Sequence, residues 1–286
     1  MVTAATRRLT VRRLRPRERD AALARLAGAP RDNLLLIDAI HALGSAAVPG
    51  ESRSDVVVAL DGRTLAGVAS LQPSLAVEAG ADADVLTAFL PHLASIGAGL
   101  LKVDAATAEP IWRALRRAGR RAVLDRFETA YALAPLAPRG SPVPEGARVR
   151  PAISADLEAL VHAARASLRE EHRPDPFEGD PDGFRRWVGG RIARATVVEW
   201  NGTLRFVGYA DVQRAEGWLL QGVYTWPEAR RRGLAAAGVE ALCRRAADAG
   251  ARHVQLAVVE GNTPAERLYE RLGFVAFGRL RTILFA

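Results

Sequence analysis

The chain of 286 residues contains one cysteine, one methionine and one lysine: Cys243, Met1 and Lys102. A single cysteine excludes an intramolecular disulfide and any cysteine-rich zinc site. The five histidines, His41, His92, His162, His172 and His253, include no pair at i, i+3 or i+4, so no metal-ligand spacing is present and no metal is expected. Aromatic residues make up 6% of the chain, which leaves few stacking platforms for nucleic acid. No stretch approaches the roughly 20 consecutive apolar residues of a membrane span. Met1 to Arg8 lead into no uninterrupted apolar segment of a secretory signal, so a cytoplasmic location and no membrane partner are expected.

What is present is an ordinary soluble balance, 49% hydrophobic and 25% charged, able to bury real cores. The length suits two domains of roughly 100 to 200 residues each. The net charge is +8 and the pI near 10.7. Residues 1–147 hold 19 cations against 15 acids and residues 148–286 hold 21 against 17, which is +4 in each. An even spread argues against a basic tail. One local run, Arg7, Arg8, Arg12, Arg13, Arg15, Arg17 and Arg19, keeps a nucleic-acid reading in view as the least favoured one.

Three prolines and two glycines between Ala137 and Gly146 read as a linker, placed at 137–147. On both sides a strand leads into a helix: 9–14 then 17–26, and 148–152 then 155–168. Both halves also end alike. The strand 99–104, a loop, the helix 109–118, Gly119 and the strand 122–133 parallel the strand 253–259, the helix 264–272, Gly273 and a strand from Phe274, at an offset of about 154. Between them Thr196 to Trp200 and Thr203 to Ala210 flank Asn201-Gly202, a strong hairpin signal because both turn residues tolerate positive φ. A third strand follows at 217–225. The order implies an α+β class, with a mixed, mostly antiparallel sheet flanked by helices in each half.

The strand ending in Val223-Tyr224-Thr225 runs through Arg230-Arg231-Arg232-Gly233-Leu234-Ala235 into a helix. Ala235, Val239, Leu242, Cys243 and Ala246 form its apolar stripe, and Glu240 with Arg244 an i, i+4 pair on the opposite face. A glycine turn at a helix N-terminus presents unpaired N–H groups and the positive end of the helix dipole, a site suited to phosphate. The Walker A and Rossmann spacings are both absent. Downstream, Thr263 reads as an N-cap, Pro264 as the first helical residue, Glu266 as the capping-box partner and Gly273 as the stop. Ala265, Leu268 and Leu272 form the packing stripe, and Tyr269 lies one step off it, at a cleft edge.

Arg230-x-x-Gly233-x-Ala235 after a strand, with Asn262-x-x-Ala265-x-x-x-Tyr269-Glu270-x-x-Gly273-Phe274 beyond the next strand, resembles the two coenzyme A blocks of the GNAT N-acetyltransferase superfamily. The resemblance covers about residues 148–286, and the doubled layout is similar to tandem GNAT proteins with a diverged first half. It implies an acyl-CoA site, with acetyl-CoA as co-substrate and an amine as acceptor. Val223, Tyr224 and Thr225 would hold the pantetheine arm between splayed strands, and the amides from Arg231 to Ala235 would hold the pyrophosphate. Asn262 would bond the pantetheine, beside Ala265, and Tyr269 would act as general acid to the leaving thiolate. Self-association as a homodimer is left open.

A base must also take the amine's proton. The candidates are Glu170, Glu171 and His172, with Glu171 taken forward; Glu216 and Gln221 are weaker. In the first half the corresponding stretch carries Glu78, Asp82 and Asp84, which repel phosphate, and Leu115 and Ala108 stand opposite Tyr269 and Asn262. Residues 1–136 are therefore expected to be a domain without a coenzyme site, and 148–286 the working one. The alternative is a module that binds acyl-CoA without transferring the acyl group.

Overall fold

The computed structural model describes residues 7–45, 52–137 and 140–286. Met1 to Thr6 of the signal reading, and Pro138 and Arg139 of the linker, lie outside them. The elements in chain order are β1 (Thr10–Arg13), α1 (Arg19–Leu26), α2 (Leu34–His41), β2 (Asp55–Asp61), β3 (Thr64–Gln72), β4 (Ala76–Val77), α3 (Ala83–Ala94), β5 (Gly99–Asp104), α4 (Ala105–Arg117) and β6 (Ala122–Leu133). The second half supplies β7 (Ala147–Pro151), α5 (Leu157–Glu170), α6 (Pro181–Gly190), β8 (Ala195–Trp200), β9 (Thr203–Gln213), β10 (Trp218–Thr225), α7 (Leu234–Asp248), β11 (Val254–Val259), α8 (Thr263–Arg271) and β12 (Val275–Phe285). The mixed α+β architecture agrees with the sequence reading.

The chain forms two compact units. Unit 1 holds the described residues through Glu128 and the C-terminal Arg279–Ala286; unit 2 holds Thr129–Gly278. Each unit is thus closed by a strand end from the other half of the sequence. In unit 1, β1 to β4 form an antiparallel sheet and residues 280–285 of β12 pair antiparallel with β5. Ile283 and Phe285 are fully buried with Phe89, Leu93, Leu101 and Trp112. In unit 2 the ladders β7·β8, β8·β9 and β9·β10 are antiparallel, and β10·β11 is parallel. Tyr131 and Leu133, at the end of β6, are buried in its core with Leu242, Leu256 and Phe274. A second cluster gathers Leu160, Phe184, Val197 and Tyr209 from α5, α6, β8 and β9.

The hairpin β8·β9 turns at Asn201 and Gly202, with φ of 50° and 76°, as their dipeptide signal implies. α4 begins at Ala105, earlier than the expected 109, because Asp104 Oδ1 accepts from the N–H groups of Ala106 and Thr107 and so caps the helix there. α8 is capped by Asn262, not Thr263: Asn262 Oδ1 accepts from Ala265 N at 3.4 Å. Glu240 forms the expected pair with Arg244, yet it is buried rather than on a solvent face. Its carboxylate accepts from the backbone N–H groups of Gly140 and Ser141, so it ties the described part of the linker along α7.

Candidate functional site

In unit 2 the parallel strands β10 and β11 pair at only two positions, Trp218 with Val254 and Leu219 with Gln255. Beyond them the strands part, and β10 continues to Thr225 supported by β9 alone. A bulge falls there. Gln221 pairs with Tyr209 and Tyr224 with Val207, which leaves Gly222 and Val223 without a register partner on β9. Gly222 has φ of 57°, and a Cβ on it would lie 3.0 Å from the Tyr209 ring. A glycine inside a strand pattern is the sequence signal for such a bulge.

The bulge is backed by a cluster that the sequence reading missed. Arg191, at the end of α6, makes two bonds to Asp211 and lies between the rings of Trp187 and Tyr209, 4.6 and 4.4 Å from their centroids. Burial pushes the Tyr209 hydroxyl pKa up to about 12. No sequence period signals this cluster, since its members come from two elements, the end of α6 and β9.

After β10 a short 3-10 turn, 227–229, leads to Arg231, with φ of 60°, and to Gly233, with φ of 81°, the N-cap of α7. Gly233 has no side chain to cap the helix. Among the described residues the N–H groups of Arg231, Arg232, Gly233, Leu234 and Ala235 have no acceptor. Five consecutive free donors at the positive end of a 15-residue helix are an arrangement suited to an anion.

The three arginines go separate ways. Arg230 forms an ion pair with Glu170 at 2.6 Å and donates from Nε to Thr225 O. Arg231 is exposed, and Arg232 lies 4.7 Å over the Trp200 ring. Glu170 also accepts from the Tyr224 hydroxyl at 3.1 Å, so the end of α5 is fastened to β10. Glu171, at the C-cap of α5, is exposed; it accepts from Ser167 Oγ at 3.2 Å and lies 3.8 Å from Arg173.

On α8, Asn262 is exposed with its side-chain oxygen used as the cap, and Ala265 is half-buried. Tyr269 is the buried residue of the helix rather than a residue at the stripe's edge. Its ring meets Phe274 edge-on at 5.6 Å, in the cluster that includes Leu234 and Cys243. Burial raises its pKa, and its hydroxyl has no hydrogen-bond partner among the described residues. A buried neutral phenol can donate a proton to a developing anion.

At the corresponding place in unit 1, two backbone donors are taken by side chains. Leu75 pairs in parallel with Leu101, and four residues on Ala79 N donates to the buried Asn33 Oδ1 at 2.8 Å. The helix that follows, α3, is capped by Asp82, whose Oδ1 accepts from Val85 N at 2.9 Å. Glu78 is buried and held by Arg25. The N-terminal arginine run is also neutralised in part: Arg7, Arg12 and Arg13 reach Asp82, Glu18 and Asp55. Arg12 holds the Glu18 carboxyl pKa down to about 2.

Among the described residues no group of three or more His, Cys, Asp or Glu side chains could hold a metal ion, and no helix is long and apolar enough to cross a membrane. The acetyltransferase (GNAT) family model matches residues 157–274, from α5 to the end of α8. No curated protein matches the chain in sequence. A solved Drosophila protein is similar over 96% of this chain and 98% of its own, at 16% identity and a TM-score of 0.70. A GCN5-related N-acetyltransferase from Sphaerobacter thermophilus is similar over 96% and 94%, at 18% identity and 0.55. A tandem GNAT protein from the clavulanic acid biosynthesis pathway is similar over 98% of both chains, at 16% identity and 0.57. Residues 157–274 are thus similar to the acetyltransferase (GNAT) family, in a chain whose fold is like that of a tandem GNAT protein.

Proposed function

We propose that unit 2 transfers an acetyl group from acetyl-CoA to an amine, and that unit 1 binds no coenzyme. The observation that carries this reading is the pairing of a splayed strand edge at Gly222 to Thr225 with five free N–H donors at Arg231 to Ala235. The first suits an extended amide-bearing arm, which adds to the edge like a strand. The second suits a diphosphate, whose charge meets the α7 dipole and the backbone donors. Val223 and Thr225 are assigned to the arm, Arg231 to Ala235 to the diphosphate, and the free amide N–H groups of Asn262 to the pantetheine.

In the reaction the amine nitrogen attacks the thioester carbonyl, the carbon–sulfur bond breaks, the sulfur leaves as a thiolate that takes the Tyr269 hydroxyl proton, and the proton shed by nitrogen as the amide forms returns to the Tyr269 oxygen. The ammonium form of the acceptor must first lose a proton. Of the two adjacent carboxylates, Glu170 is held by Arg230 and Tyr224, so we assign proton acceptance to Glu171, through water. Cys243 is buried with its thiol pKa pushed up to about 12 by burial, which suits direct attack without a cysteine intermediate.

The test is thiol release from acetyl-CoA across a panel of primary amines. Amine-dependent release, lost in Glu171→Gln at neutral pH, is expected. Tight acetyl-CoA binding with no release for any amine would instead favour the module that binds without transfer.

A further inference from the structure

A cavity of about 470 Å³ lies between the end of α5 and the start of α6, in unit 2, apart from the splayed strands and the α7 turn. Its wall carries Arg165 and Arg169 from α5, four residues apart and on one stripe, and Arg173 from just beyond the end of the helix. Like charges at that spacing repel unless they are compensated. Two of them are. Arg165 Nε lies 3.9 Å from Asp175 Oδ2 with its guanidinium 4.8 Å over the Phe184 ring, and Arg173 lies 3.8 Å from Glu171.

Arg169 has no ion pair or hydrogen bond from its side chain among the described residues, and neither does Glu178 in the facing loop. Arg165 Nε is buried without a hydrogen-bond partner. Leu168, Phe177 and Pro181 supply apolar lining. The cavity therefore offers one uncompensated cation, one uncompensated carboxylate and an apolar surface between charged walls.

We propose that this cavity binds a small zwitterion of the amino-acid type with an apolar side chain, its carboxylate on Arg169 and its ammonium on Glu178. A bidentate guanidinium–carboxylate contact fixes one end and the carboxylate–ammonium contact the other. The volume falls within the range of small-molecule sites. Calling this ligand the acceptor rests on the transferase reading; its binding does not.

Calorimetry on the full chain without coenzyme tests the site, using L-phenylalanine, N-acetyl-L-phenylalanine, phenethylamine and inorganic phosphate as probes. L-Phenylalanine is expected to bind at least about tenfold more tightly than either probe lacking one charge. Arg169→Ala should weaken L-phenylalanine at least about tenfold while leaving phenethylamine unchanged. Glu178→Gln should weaken L-phenylalanine while leaving N-acetyl-L-phenylalanine unchanged. No binding of L-phenylalanine, equal binding of the singly charged probes, or tighter binding of phosphate would each overturn the proposal. Because no coenzyme is present, a failure of acetyl-CoA binding or of transfer leaves this result standing and is told apart from it.

Discussion

Replacing Gly233 with aspartate would put a carboxylate at the N-cap of α7, as Asp82 stands at the N-cap of α3 in unit 1. In unit 1 the Asp82 carboxylate takes the Val85 N–H; at Gly233 no side chain does so. An aspartate there places a negative charge within about 5 Å of a diphosphate held by the same turn. Coulomb's law gives about 3 kcal/mol per unit of ligand charge at an effective dielectric of about 20, and half that at about 40, which suits this exposed position better. Since about 1.4 kcal/mol is a factor of ten, acetyl-CoA affinity should fall at least about twentyfold. Folding should change little. The positive φ of 81° costs an aspartate only about 1 kcal/mol or somewhat more. Calorimetry with acetyl-CoA, paired with a thermal melt, reads both quantities. Affinity within threefold of the parent, in a variant with an unchanged melt, would refute the assignment of this turn to the diphosphate.

Tyr269→Phe should slow transfer at least about tenfold, the low side of what a general acid contributes. Its coenzyme affinity and melting temperature should stay near the parent's, because the hydroxyl has no hydrogen-bond partner to lose; an unchanged rate removes the acid role. Gly222→Val forces a branched side chain into φ of 57° with its Cβ 3.0 Å from the Tyr209 ring, so stability should fall by about 2 kcal/mol or more in denaturant titration. A neutral result there would contradict the bulge. Glu128 is buried in unit 1; burial opposes its ionisation, but Lys102 and Arg126 outweigh that and hold its pKa below the usual 4.5. A depressed carboxylate pKa contributes stability that is present above about 4.5 and lost as pH falls through the folded value. Glu128→Gln should therefore lower the melting temperature clearly at pH 7, and the gap from the parent should narrow as pH falls from about 4.5 toward 3. A constant gap across that range would refute the linkage.

What the sequence made legible was local. The Asn201-Gly202 turn, the strand into the Arg230 to Gly233 turn and the α7 stripe are all set by neighbours within a few residues, and the structure has them. Residues whose partners lie far along the chain were hidden. Glu240 occupies a helix position that looks solvated until Gly140 and Ser141, about a hundred residues earlier, come to lie on it. Arg230 looks free until Glu170 reaches it from α5. The sequence order places the strand from Phe274 in the second half, whereas residues 280–285 pair with β5 in unit 1. Alternating apolar residues show that a strand will be buried, and carry no mark of which neighbour it will pair with.

The contrast between the units supports the proposal that only unit 2 binds coenzyme. A strand edge and a helix N-terminus bind an external group only while their donors are free. In unit 1 Asn33 takes the Ala79 N–H and Asp82 the Val85 N–H, and Asp82 and Asp84 place carboxylates at the helix start. In unit 2 the corresponding turn contains glycine and arginine, and its donors remain open. Small changes of side chain, not of architecture, separate the two.

The stoichiometry of acetyl-CoA binding to the full chain tests this account most directly. Titration calorimetry should give one site per chain, abolished or strongly weakened by Gly233→Asp in unit 2. Two sites per chain, or one that Gly233→Asp leaves intact, would contradict it.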